Sequence, residues 1–200
     1  MFLKKNIFFV LAGIGLVKSL AAQDIPWHLI SGPQTVAAPS AINTQGIKAG
    51  PNQIVVAVID SGVMATHPSL SGQLLPGYDM LSAPNNLRGD RSTDSRPDER
   101  DARCGQRLVS GAFRTHGTEV ASLIAGNGVD GVFGVNPSAK ILPIRLFGAC
   151  SMTRTDMLDA IAWAAGLPVA GVPTNPNPAR VINMSIAGGL SVWLRAARAD

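Results

Sequence analysis

Aromatic residues make up 5% of the 200-residue chain and charged residues 15%. The low charge, set beside 46% hydrophobic residues, excludes a solvated disordered polymer and leaves enough apolar surface for one core. Cysteines number two and histidines three, too few and too scattered to supply the clustered ligands of a zinc site. No internal repeat is present. One long apolar run occurs, Ile7–Val17, and it is short of the roughly 20 residues that a membrane-spanning helix needs.

That run has another reading. Lys4 and Lys5 precede it, and Ser19-Leu20-Ala21-Ala22 offers small residues for cleavage. Residues 1–22 therefore read as a secretory signal peptide, with a membrane anchor as the alternative. Removing Lys4, Lys5 and Lys18 with the signal leaves 14 basic against 13 acidic groups. So balanced a chain has no nucleic-acid footprint and, once the signal is gone, no membrane partner. Export also bears on Cys104 and Cys150, which read as one disulfide and alternatively as two buried thiols. Closing that loop would add roughly 4 kcal/mol in the chain-entropy account.

Residues 23–50 are irregular and broken by Pro26, Gly32, Pro33, Pro39, Gly46 and Gly50. Residues 51–200 then carry the pattern of a single domain. Ile54–Ile59 is a continuous β-branched run that predicts a buried strand. Residues 82–107 are polar, and Arg88–Arg107 interleaves six arginines with five acids, which predicts a solvated loop. His116-Gly117-Thr118 opens a short helix whose apolar part is Val120–Ala125. Ala139–Phe147 predicts a second strand, which tolerates Pro143 only where no ladder bond needs its N–H. Thr153 with Asp156 signals a helix cap, and Gly166 a stop. Met157, Leu158, Ile161, Ala162 and Ala165 are expected on that helix's apolar face. After the Pro-rich segment Leu167–Pro178, Val181–Ser185 predicts a third strand. This alternation predicts an α/β fold with a doubly wound, mainly parallel sheet.

In such sheets function gathers beyond the carboxyl ends of the strands. Asp60 stands at one, directly after the apolar run and before Ser61-Gly62. His116, with the small Gly117 beside it, is its candidate partner. A carboxylate on one ring nitrogen fixes the tautomer and leaves the other nitrogen to take a proton. His28 and His67 read as structural. Gly126, Gly128 and Gly131 spell a dinucleotide-type pattern, but they follow a helix instead of opening one, so they read as a loop. Asp90, Asp94 and Asp98 offer oxygen ligands suited to calcium, unless the interleaved arginines simply neutralise them.

Four blocks carry a resemblance. V-A-V-I-D-S-G-V around Asp60, H-G-T-E-V-A-S-L-I-A-G from His116, G-V-F-G-V-N-P-S-A-K-I-L-P-I-R-L, and V-I-N-M-S-I-A-G-G from Val181 resemble the subtilases, the subtilisin-like serine proteases, in that family's order. The likeness runs over roughly residues 25–189, and the long Pro-rich loop resembles secreted subtilases of Gram-negative bacteria. It implies a subtilisin-type sheet, Asp60 as the orienting acid and His116 as the general base. It makes Ser185, Ile186, Ala187 and Gly188 a wall of the cleft for an extended polypeptide substrate, faced by Ala149–Met152. Catalysis in the family needs no cofactor, though calcium often occupies its loops. Ala187 stands where the family usually has glycine.

The resemblance also raises an expectation about what is missing. The family's serine lies in a G-T-S-M-A block and its oxyanion asparagine in an A-A-G-N block, and neither motif occurs in these 200 residues. The fold is accordingly expected to be incomplete at its C-terminal end, to lack a propeptide, and to be inactive alone. A peptide-binding relic and a gene remnant remain the alternatives.

Overall fold

The computed structural model describes residues 53–83, 90–98, 103–104, 107–108, 112–148 and 152–186. Its strands are β1 (Val55–Asp60), β2 (Tyr78–Asp79), β3 (Arg103–Cys104), β4 (Arg107–Leu108), β5 (Lys140–Arg145) and β6 (Val181–Asn183). Its α-helices are α1 (Ala112–Ala125) and α2 (Arg154–Ala164). Four strands form a parallel sheet in the order β2-β5-β1-β6. β1 lies inside it, in register with β5 from Val55↔Lys140 to Asp60↔Arg145.

Side chains alternate across the sheet, and each face has its own helix. Val56, Val58 and Ile141 pack with Ala121 and Ala125 of α1. Ala57, Ile59, Leu142 and Ile144 pack with Met157, Ala160, Trp163 and Ala164 of α2. Cover on both sides explains why β1 is apolar at successive positions instead of alternating. The expected doubly wound α/β architecture is therefore present in the described residues.

Pro143 meets the condition its chemistry sets. The Lys140 N–H donates to Ile54 and the Leu146 N–H to Asp60, so even-numbered amides of β5 face β1. Odd-numbered positions face the other way, where the Ile141 N–H reaches Gln73. Pro143 thus falls opposite Gly77, in the gap between the Leu74–Ile141 bridge and β2. Gly77 is required there, because a Cβ would strike the Pro143 carbonyl oxygen.

Several boundaries differ from expectation. α1 begins at Ala112, so His116 sits inside the helix and not at its mouth. On α2 the buried stripe is Met157, Ala160, Trp163 and Ala164, whereas Leu158 is 48% exposed and Ala165 is exposed. Trp163 decides that rotation: its ring lies 5.4 Å from Tyr78, and its Nε1–H donates to the Pro173 carbonyl at 2.7 Å. The helix ends are as predicted. Thr153 and Asp156 form a reciprocal capping box, and Gly166 follows with φ of 83°.

The Arg/Asp-rich stretch is not simply a solvated loop. It contributes the antiparallel pair β3–β4, and Ser92 exchanges two backbone hydrogen bonds with Asp79. The short strand β2 escaped the sequence reading because two residues carry no periodicity.

Candidate active site

The period of β1 that aims Val56 and Val58 at α1 also aims Asp60 at it. Asp60 is 2% exposed, and its carbonyl oxygen accepts the Leu146 N–H at 2.7 Å. Its Oδ1 accepts the Ser61 N–H at 2.7 Å. From α1, His116 Nδ1 lies 2.9 Å from Oδ1 and 3.0 Å from Oδ2. An ionised carboxylate only accepts, so this contact assigns the ring proton to Nδ1. The imidazole is 43% exposed, and among the described residues Asp60 is its hydrogen-bond partner. The Nε2 atom is left to another group.

Two hydroxyl side chains, each accepting a backbone N–H, hold the two elements together. The Gly117 N–H donates to Ser61 Oγ at 3.1 Å, and the Met64 N–H donates to Thr118 Oγ1 at 3.0 Å. A Cβ at Gly117 would strike the Gly62 carbonyl and come within 3.1 Å of the Asp60 Cβ. Glycine is thus required by the approach of helix to turn, and less by the packing around the ring that the sequence suggested. The roles of Ser61 and Thr118 were missed, although both stand inside the D-S-G and H-G-T blocks.

Next to Asp60 in register lies Arg145, and next to that Asp79. Both are fully buried, with Arg145 Nη1 donating to Asp79 Oδ2 at 2.5 Å. The Leu81 N–H bonds the other carboxylate oxygen at 3.1 Å. Removing one member of such a pair leaves a buried charge exposed to no solvent, typically a loss of about 3–5 kcal/mol.

The remaining expected residues scatter. Ser185 is exposed beyond β6 and donates to Asn183 Oδ1 at 3.0 Å, and Ile186 packs at the edge of the α2-side core. Ala187, Gly188, Cys150 and the side chain of Cys104 lie outside the described residues, as do residues 1–22. His67 bonds Ser69 Oγ at 2.8 Å, in keeping with a structural role.

The three aspartates are not brought together. Asp94 accepts from Arg96 Nε and Nη2, each at 2.8 Å, and Asp90 accepts the Arg91 N–H. Asp98 is buried. Among the described residues no three His, Cys, Asp or Glu side chains form a group that could hold a metal ion.

Arg91 is engaged elsewhere. Its Nη2 donates to Asp156 Oδ1 at 3.1 Å and to Asp159 Oδ2 at 2.7 Å on α2. Burial disfavours the guanidinium charge, but the bonds to Asp159 and Asp156 outweigh it and raise the group above its ordinary value. Burial likewise works against ionised Asp156. Hydrogen bonds from the Thr153 backbone, Ser82, the Thr153 hydroxyl and Arg91 win, holding that carboxyl below the usual range.

The model of the Subtilase family matches residues 51–198. The chain belongs to that family. An extracellular protease of Xanthomonas campestris is 41% identical over 71% of this chain and 26% of its own length. An extracellular basic protease of Dichelobacter nodosus is 42% identical over 68% of the chain and 24% of its own. A solved protease of Pseudoalteromonas arctica superposes with a TM-score of 0.69 at 36% identity, over 83% of this chain and 49% of that one. This subtilase chain therefore spans about a quarter of the length of those curated relatives. Their Gram-negative sources agree with the resemblance read from the motifs.

Proposed function

We propose that Asp60 and His116 are the acid and base of a serine-type endopeptidase acting on extended polypeptides outside the cell. The contact of His116 Nδ1 with both oxygens of buried Asp60 carries this reading. In that role Asp60 holds the tautomer and stabilises the imidazolium. His116 Nε2 accepts the proton of a serine hydroxyl as it attacks the peptide carbonyl, then returns it to the leaving amine. An extended substrate would lie along Ser185–Gly188, bonding to backbone beyond β6. The names of the two bacterial relatives and the apolar residues 7–17 both support export.

The nucleophile is a separate matter. Among the described serines, Ser61 accepts the Gly117 N–H, Ser69 and Ser122 lie 3.3 Å apart, and Ser185 bonds Asn183. None bonds His116.

Replacing the corresponding stretch of the Xanthomonas protease with residues 53–186 of this chain tests the reading. The chimera should hydrolyse a peptide substrate, lose about 10⁶ in turnover with His116→Ala and about 10⁴ with Asp60→Asn. A folded but inactive chimera would instead favour a chain that binds peptides without cutting them.

A further inference from the structure

Three backbone segments lie stacked beyond the carboxyl end of β1, in direct contact at Gly62 and Gly117. The middle one is the turn Asp60–Gly62. On one side a Cβ at Gly62 (φ 94°) would stand 2.5 Å from the Ser95 carbonyl oxygen and 2.9 Å from Pro97 N. On the other, the Gly62 carbonyl occupies the place of a Cβ on Gly117, next to His116. Peptide groups in direct contact have no rotamers with which to absorb a shift. Movement of residues 95–97 is therefore passed through Gly62 to the helix that carries His116.

Residues 91–97 act as a strap across this end of the sheet. Ser92 is bonded to Asp79, and the Val63 N–H donates to Ser95 at 3.2 Å. A further anchor is remote. Arg91 reaches Asp156 and Asp159 on α2, which covers the face of the sheet opposite α1. One nitrogen, Nη2, makes a charge-assisted bond to each of two carboxylates and so ties this end of the strap to α2.

We propose that Arg91 is a positioning residue for the Asp60–His116 pair, acting through the strap and the Gly62–Gly117 contact. The inference deepens the reading of that pair as acid and base, yet its test needs no turnover. Hydrogen exchange of the His116 Nδ1 proton, followed by NMR in the full chain, reports the Asp60 contact directly. The control is Asn175→Ala, which removes a bond from Asn175 Nδ2 to the Trp163 carbonyl at 2.8 Å and leaves the strap untouched. Arg91→Met should speed exchange about tenfold or abolish the signal, with Asn175→Ala near wild type. Wild-type exchange in Arg91→Met, or equal loss in both variants, would overturn the proposal. If Arg91→Met does not fold, Arg91→Gln, which keeps a polar end but neither the charge nor the reach to both carboxylates, is read the same way. Faster exchange supports the role and unchanged exchange refutes it.

Discussion

α1 and α2 cover one sheet from opposite faces and are held by different means. α1 meets the strands through Ala121 and Ala125, and meets the turn after β1 through Gly117, so its contacts are short and its buried side chains small. α2 meets them through Met157 and Trp163, and is finished by a capping box and Gly166. Large side chains bury area, about 1.5–3 kcal/mol each. Small ones let a helix approach. The helix that carries the site is the one placed closely, while its counterpart supplies more of the stability.

The largest effect should come from α2. Trp163→Ala removes a buried ring and its bond to Pro173, and should cost about 3–5 kcal/mol in urea unfolding. The His116–Asp60 contact should survive in the fraction that stays folded. A loss below about 1 kcal/mol would erase the distinction between the two helices.

Gly117→Ala sharpens the comparison from the other side. An added methyl meets the Gly62 carbonyl and Asp60, so overpacking should cost about 1–3 kcal/mol. Here the site should suffer more than the fold. The expected outcome is loss of the His116 Nδ1 proton signal under conditions where circular dichroism still reports native helix. An intact signal would mean that the close approach is not what seats the histidine.

The smallest effect is a pH dependence confined to α2. The Asp156 carboxyl is held below its ordinary value, so it binds its proton more weakly folded than unfolded. Its contribution is therefore full above about pH 4 and is lost as pH falls through the lower folded value. Asp156→Asn should flatten the fall of melting temperature in that acid window and leave neutral-pH slopes alone. An unchanged acid slope would show that another carboxylate governs it.

Much of this was legible in the residues. β1 announces itself because both faces are covered, so Val55–Ile59 needs no alternation to be read. Thr153, Asp156 and Gly166 act through local bonds, and local bonds follow sequence. Asp60 and His116 were readable because each stands at an element end or beside a glycine within a four-block order. The rest depends on partners far along the chain. Nothing local says that Arg91 meets Asp156 and Asp159 and not its acidic neighbours, or that Arg145 is buried against Asp79. The face of α2 differs from expectation because the helix carries apolar residues on two stripes, and contact with Tyr78 and Pro173 chose the one holding Trp163.

The acid and base roles of Asp60 and His116 depend on where the His116 proton sits. A long-range ¹H–¹⁵N spectrum of the purified chain, taken where the imidazole is neutral, reads both ring nitrogens at once. Contact with Asp60 predicts a protonated Nδ1 and a bare Nε2, with that preference lost in Asp60→Ala. A wild-type ring protonated at Nε2, or one indifferent to Asp60→Ala, would contradict the assignment of His116 as a base oriented by Asp60.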